Sequence, residues 1–166
     1  MTKPAEPLSY QPSERALFVI GVGCSMFFDG IVLHQLLQWH HMGSNLHPPN
    51  TVRNLQWNTL LDGLFHGAAW IVTIWGVWLL ARAARLEAKE SAPRALTIGA
   101  FVAGWGSFNV VENILNHFIL QVHHVREGTP YTLAYDVGFL ILFGFVPTIL
   151  GVWLLRRGRQ QAFRNE

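Results

Sequence analysis

Four apolar stretches, each long enough to cross a membrane once, make up most of this chain. They occupy residues 16–39, 58–80, 96–121 and 132–155, and a transmembrane helix needs about 20 predominantly apolar residues. Only 13% of the 166 residues are charged, whereas a soluble domain carries about 25%. The sequence therefore predicts an all-α fold, a polytopic membrane four-helix bundle in contact with the lipid bilayer. The single cysteine, Cys24, excludes a disulfide framework and a metal site made of cysteines alone.

Lysine and arginine residues collect on one side of the predicted membrane. All but Arg53 and Arg126 of the 12 lie in the terminal segments or between the second and third stretches. Because short cytoplasmic segments are enriched in positive charge, we expect both termini in the cytoplasm. The expected order is a cytoplasmic N-terminal segment (1–15), a first transmembrane hairpin (16–80), a cytoplasmic connector (81–95), a second hairpin (96–155) and a basic cytoplasmic tail (156–166). The cations then act as orientation signals, so nucleic acid is not an expected partner.

A motif of residues that are common metal ligands occurs twice. The pattern acid-x4-His-x3-Gln-x-His-His appears at one constant offset, first in Asp29, His34, Gln38, His40 and His41 and then in Glu112, His117, Gln121, His123 and His124. The second and fourth stretches correspond more loosely, through Asp62 and Asp136 and through Gly-Val-Trp-Leu-Leu at 76–80 and 151–155. We therefore predict two tandem repeated hairpins, related by a pseudo-two-fold axis along the membrane normal.

Helix geometry places several of these polar residues at one depth. With a rise of about 1.5 Å per residue, one layer in the outer half of the bilayer contains His34, His66, His117, Asp62 and Asp136. Facing helices of a bundle commonly hold metals, and imidazole and carboxylate are ligands of Cu, Fe and Zn. We predict these five residues as the metal ligands. The second hairpin has Leu140 at the position that corresponds to His66, so the site is expected to be asymmetric.

The other residues of the motif receive different predicted roles. At about 100° per residue, Asp29 and His40 point away from His34 on a regular helix, so the five motif residues cannot all face one atom. His40 and His123 are therefore expected at the outer rim. Residues predicted to support the ligands or to form a second site are Gln38, His41, Gln121, His124, His40 and His123. Asp29 and Glu112, near the middle of the membrane, are predicted as buried acids or proton-relay groups.

The duplicated motif, the Asp62-Gly-Leu-Phe-His66 segment and the four-span layout resemble a bacterial family of predicted membrane proteins, domain of unknown function number 2243. The resemblance covers nearly the whole chain. It implies a multi-pass protein of the bacterial inner membrane with four helices. It implies no reaction and no catalytic residues, so the function has to be argued from the side chains themselves.

Four functions are compatible with these residues. The first is a redox or oxygen-handling metalloprotein with a Cu, Fe or Zn site that opens to the periplasm; the second is a metal capture and transfer factor that uses the outer histidines. The third is a haem b electron carrier with His34 and His117 as axial ligands, a weaker fit. The fourth is a metal-free assembly protein in which the histidines hydrogen-bond between helices. A homo-oligomer or a respiratory or metal-handling membrane protein is the expected partner, and the sequence leaves open whether a reaction is catalysed.

Overall fold

The computed structural model describes residues 11–86 and 92–164, and these residues form four helices without any strand. Three of the four contain π-helical segments. In chain order the elements are α1 (Gln11–Phe28) with π1 (Asp29–Leu36), α2 (Val52–Leu86), α3 (Arg94–Asn113) with π2 (Ile114–Ile119), and α4 (Thr132–Phe139) with π3 (Leu140–Phe145) and α5 (Val146–Arg164). The predicted all-α class and the number of helices are confirmed. Parts of the predicted cytoplasmic segments, residues 1–10, 87–91 and 165–166, lie outside the described residues.

Three of the four predicted spans are long and apolar enough to cross a membrane: Pro12–Leu36, Val52–Arg85 and Thr132–Ala162. The helix formed by α3 and π2 does not meet that criterion among the described residues. Its outer half carries Asn109, Glu112, Asn113, Asn116 and His117, and these residues lower its mean hydropathy. The same side chains are the ones that a membrane-embedded polar site would need.

The helices pack in the order α2, α1, α3, α5, with α1 and α3 at the centre. The two outer helices expose large apolar side chains, including Trp70 and Ile71 on α2 and Ile149 and Trp153 on α5. An exposed apolar surface of this extent marks contact with lipid or with another protein. Together with the hydropathy of the three spans, it indicates that the bilayer surrounds the bundle.

Glycines bring the two central helices into backbone contact. A methyl group on Gly21 of α1 would overlap the carbonyl oxygen of Phe101, and a methyl group on Gly104 of α3 would overlap that of Phe18. Small residues allow such close approach in membrane helix pairs. Phe18 and Gly21 precede the first copy of the motif at the same spacing by which Phe101 and Gly104 precede the second. Corresponding positions of the two halves therefore make corresponding contacts at the crossing.

The π-helical segments change the direction of side chains just where the motif begins. π1 starts at Asp29, π2 starts after Asn113, and both helices end before a glutamine with positive φ, Gln38 at 49° and Gln121 at 50°. π3 has another effect, because the interval from Asp136 to Gly151 is one residue longer than that from Asp62 to Gly76. A π segment inserts a residue without ending the helix. The extra residue in π3 therefore keeps both α4 and α5 in positions that correspond to the two ends of α2.

Candidate metal centre

Four histidines from the two halves meet in the interior, near the end of the bundle at which π1 and π2 end. The side chains of His34, His40, His117 and His123 are at most 3% exposed. Ring centroids are 4.4 Å apart for His34 and His40 and 4.8 Å apart for His117 and His123. His40 and His123 stack on each other at 4.5 Å with nearly parallel rings. The four imidazoles therefore form one contiguous cluster, which we call the histidine cluster.

Two members of this cluster were expected at the rim. His40 and His123 are 2% and 0% exposed, so the rim position is wrong for both. The expectation assumed that the helices stay regular through the motif. Instead, each helix ends, and the glutamine at positive φ turns the chain so that the first histidine of the His-His pair points back into the bundle.

Backbone carbonyls fix the ring orientation of the stacked pair, and each carbonyl belongs to the opposite half. Nδ1 of His40 donates to the carbonyl oxygen of Val125 (2.9 Å), and Nδ1 of His123 donates to that of Met42 (3.1 Å). A proton on Nδ1 leaves the lone pair on Nε2, the usual arrangement of a histidine ligand. Burial and the neighbouring imidazoles of His123 and His34 hold the pKa of His40 well below its usual range. Both effects favour the neutral form of His40.

Carboxylates orient the other two rings. Nδ1 of His34 donates to Oδ1 of Asp62 (2.9 Å), and Nδ1 of His117 lies 3.2 Å from Oδ1 of Asp136. The side-chain nitrogen of Asn113 lies closer to Nδ1 of His117, at 2.8 Å, and as a donor it competes with Asp136 for this ring nitrogen. Asp62 and Asp136 were predicted as metal ligands, and the structure places both on the Nδ1 side of these histidines. That is the position of a group that holds a ligand in place.

Each of these aspartates also accepts hydrogen bonds from the loop that follows the π segment of its half. Asp62 accepts from Nδ1 of His41 (2.7 Å) and from the amide of Met42 (2.8 Å). Asp136 accepts from Nδ1 of His124 (2.7 Å) and from the amide of Val125 (2.8 Å). The rings of His41 and His124 are partly exposed, at 15% and 24%. They contact the aspartates but are not members of the histidine cluster.

Three of the four Nε2 atoms inside the cluster form no hydrogen bond. Those of His34, His40 and His117 are buried and have none among the described residues. A buried polar atom without a partner costs roughly 1–3 kcal/mol, so such atoms in a native structure need an explanation. Two groups of possible ligand atoms lie within 4.8 Å of one another, one formed by His34, His40 and His123 and one by Glu112, His117 and His123.

Asp29 and Glu112 lie on the Nε2 side of the cluster, each beside the histidines of its own half. Asp29 carboxylate oxygens are 3.3 Å from Nε2 of His34 and 3.9 Å from that of His40. Oε1 of Glu112 is 3.5 Å from Nε2 of His117 and 3.1 Å from that of His123. We call Asp29, His34 and His40 the first half-site, and Glu112, His117 and His123 the second half-site. Each contains two imidazoles and one carboxylate.

His66 stands apart from the cluster. Its Nδ1 donates to the backbone oxygen of Asp62 (2.7 Å), and its Nε2 lies against Gly30, where a β-carbon would overlap it. In the second half Asn113 takes the position of Gly30, and its amide donates to the backbone oxygen of Asp136 (3.3 Å). Leu140 stands where His66 would be repeated. The two halves therefore support their aspartates by different side chains, and this explains the asymmetry without a ligand role for His66.

Gln38 and Gln121 have exposed side chains and positive φ. They shape the turn that follows each π segment.

The sequence did contain a signal for His40 and His123, because both belong to the duplicated motif at the same spacing as His34 and His117. Its interpretation failed on the direction of the side chains, which residue types alone do not encode.

The loops that follow π1 and π2 close over the cluster by hydrogen-bonding to each other. The amide of Asn45 donates to the carbonyl of Val122 (3.0 Å), and that of Glu127 donates to the carbonyl of Trp39 (3.0 Å). The hydroxyl of Ser44 donates to the Glu127 carboxylate (2.6 Å). A packed set of side chains that includes Leu33, Val125, Phe139, Trp39 and Tyr135 lies in the same region. The histidines are therefore shielded from water.

A family profile for a predicted membrane protein, DUF2243, matches residues 16–158. The chain belongs to this family. In this DUF2243 protein the matched region contains both copies of the motif and all six residues of the two half-sites. No curated protein and no solved structure matches the chain.

Proposed function

We propose that this DUF2243 protein is an integral membrane metalloprotein with a resident transition-metal centre at the two half-sites. The observation that carries the proposal is a set of three buried Nε2 atoms, on His34, His40 and His117, that lie 3.3–3.9 Å from carboxylate oxygens without forming a hydrogen bond. A metal ion would use these lone pairs. The proposed ligands are the residues of the half-sites, and Asp62 and Asp136 orient His34 and His117.

The ligand chemistry favours iron, with copper and zinc as the other candidates. Two histidines and one carboxylate are the ligand set of many non-haem iron oxygenases, and imidazole also suits copper and zinc. Redox or oxygen chemistry is accordingly the reaction class that we propose. Burial of the histidine cluster favours a resident ion over an ion in transit, because a transfer site has to exchange its metal with the outside.

Two further functions agree less well with the contacts. In a metal-free network each buried Nε2 atom would form a hydrogen bond, whereas those of His34, His40 and His117 lie 3.3–3.9 Å from carboxylate oxygens without forming one. A haem held between His34 and His117 needs space for a porphyrin. The rings of His40 and His123 fill that space, since they lie within 4.4–6.3 Å of the other two.

Metal analysis tests the proposal directly. The protein is purified in detergent through a tag that contains no histidine, so that the tag adds no metal. We expect near-stoichiometric iron, copper or zinc and no Soret band in the absorption spectrum. A preparation from metal-supplemented cells that is folded, equally stable to heating and free of transition metal would refute a metal centre.

We also propose the membrane arrangement. Two tandem hairpins lie in the bacterial inner membrane, and α3 with π2 forms the third of the four spans. The termini are cytoplasmic and the half-sites lie toward the periplasm. The position of cations supports it, since Arg82, Arg85, Arg156 and Arg157 lie at the helix ends remote from the histidine cluster. In a Cys24→Ser background, a membrane-impermeant maleimide should label Asn50→Cys but not Gln160→Cys in intact spheroplasts. Labelling of Gln160→Cys alone would reverse the orientation.

A further inference from the structure

We infer that the centre holds two divalent metal ions, one in each half-site. This inference rests on the proposed metal-binding function and goes beyond it, because a cluster of four imidazoles would also suit a single ion. Three independent features of the structure favour two: the partition of the ligands, the charge of the cluster and the contacts of individual rings.

The carboxylates divide the histidine cluster into two ligand sets. Asp29 lies within 3.9 Å of Nε2 of His34 and of His40, and Glu112 lies within 3.5 Å of Nε2 of His117 and of His123. The ion-pair distances link neither acid to a histidine of the other set, and His123, whose ligand atom also lies within 4.8 Å of those of His34 and His40, is assigned to the second set by its 3.1 Å contact with Glu112. One central ion bound by four imidazoles would leave both acids without a ligand role. Two ions would engage every member of both sets.

Charge balance points to the same number. Four buried acids surround the cluster, namely Asp29, Asp62, Glu112 and Asp136. In the described residues their ion pairs are all with histidines, and the arginine pair of the structure, Arg159 with Glu14, is at the opposite end of the bundle. Buried charge without compensation is very costly. Protonated imidazoles would compensate part of this charge, but a proton on Nε2 occupies the lone pair that a metal needs; two divalent ions balance all four carboxylates and leave the imidazoles free to coordinate.

Individual rings in both half-sites face oxygens on both nitrogens, which requires either a second ring proton or a cation beside the ring. His123 faces oxygen acceptors on both nitrogens, the Met42 carbonyl and the Glu112 carboxylate, each at 3.1 Å. His34 does the same, with Asp62 at 2.9 Å and Asp29 at 3.3 Å. A neutral imidazole has one N–H, so its second nitrogen presents a lone pair to an oxygen. A cation between that nitrogen and the carboxylate removes the repulsion, and each half-site contains such a pair.

The half-sites also adjoin each other. His40 and His123 stack at 4.5 Å and contribute to different half-sites. Metal ions in two-metal sites are about 3.5–4 Å apart, so adjacent half-sites of this kind suit a coupled pair. The pseudo-symmetric contacts make the two ligand sets similar, and the difference between Asp29 and Glu112 distinguishes them chemically.

Cobalt substitution with matched variants tests the number of ions. The full-length protein is stripped of metal, reloaded with Co²⁺ and assayed for metal per chain. Wild type is expected to hold two ions, Asp29→Asn one, Glu112→Gln one, and the double variant none at the same free Co²⁺. Both substitutions conserve side-chain size. His47→Ala, in an exposed loop, is the control and should retain two ions.

The outcomes separate this inference from the proposed function. Wild type with one ion, lost in either single variant, would overturn the two-ion inference and leave the metal centre in place. Two ions that persist in the double variant would show that the half-sites are not the binding residues. Wild type without any bound Co²⁺ would remove both. As a second readout, circular dichroism verifies that each variant is folded, and Cu²⁺-loaded wild type should show a spin-coupled signal that each single variant lacks.

Discussion

Replacing both His40 and His123 with asparagine is expected to abolish transition-metal binding, whereas His66→Ala keeps the wild-type metal content. The two histidines are buried, stack on each other and belong to different half-sites. An asparagine amide can still donate to the carbonyls of Val125 and Met42 that now accept from Nδ1, but it supplies no Nε2 ligand. Metal per chain after growth in supplemented medium is the measurement.

The His66 control gives this experiment its meaning. The layer argument from sequence made His66 a ligand and put His40 and His123 at the rim, whereas the structure places His40 and His123 in the histidine cluster and His66 against Gly30, which supports the opposite assignment. Metal lost in His66→Ala and retained in the double asparagine variant would restore the ligand set predicted from sequence. A melting temperature measured in detergent without metal separates loss of binding from loss of folding.

Asp62→Asn and Asp136→Asn are expected to weaken metal affinity about 10–100-fold each, the usual effect of removing a group that orients a histidine ligand. The carboxylate of Asp62 accepts from Nδ1 of His34 and of His41 and from the amide of Met42. An amide in its place presents N–H to one of these donors. Affinity is measured by competition with a chelator of known strength, and metal per chain at saturation should remain that of wild type.

Glu14→Gln is the matched control for this prediction. Glu14 pairs with Arg159 (2.6 Å) at the end of the bundle remote from the histidine cluster, so its replacement should not change metal affinity. Loss of an ion at saturating metal in Asp62→Asn would make Asp62 a ligand, as the sequence predicted. Unchanged affinity in both aspartate variants would contradict an orienting role.

The sequence was sufficient for much of the framework because the signals involved are strong and local. Runs of apolar residues as long as a bilayer is thick predict helices, and the helices are there. The duplicated motif predicts that His34 and His117 occupy corresponding positions, and both lie in the histidine cluster. Mean hydropathy was less reliable for the third span, because polar residues that serve a buried site reduce it.

The direction of side chains could not be read from the motif. Glutamine rarely adopts positive φ, and that conformation costs roughly 1–2 kcal/mol, so nothing in Gln38 or Gln121 signals a turn. Contacts formed after folding offset the cost: the amide of Trp39 donates to the carbonyl of Leu33, and that of Val122 donates to the carbonyl of Asn116 (3.0 and 2.9 Å). These bonds, together with the π segments, turn His40 and His123 inward.

The sequence by itself determined the helical class, the apolar spans, the family and the inventory of acids and histidines, since all of these follow from residue type and spacing. The tertiary structure decided which of those side chains meet. It moved Asp62 and Asp136 to the Nδ1 side of the histidines, set His66 against Gly30, and joined His40 and His123 across the two halves. The physical reason is that one inserted residue in a helix rotates everything after it. Packing between helices decides where that insertion is stable.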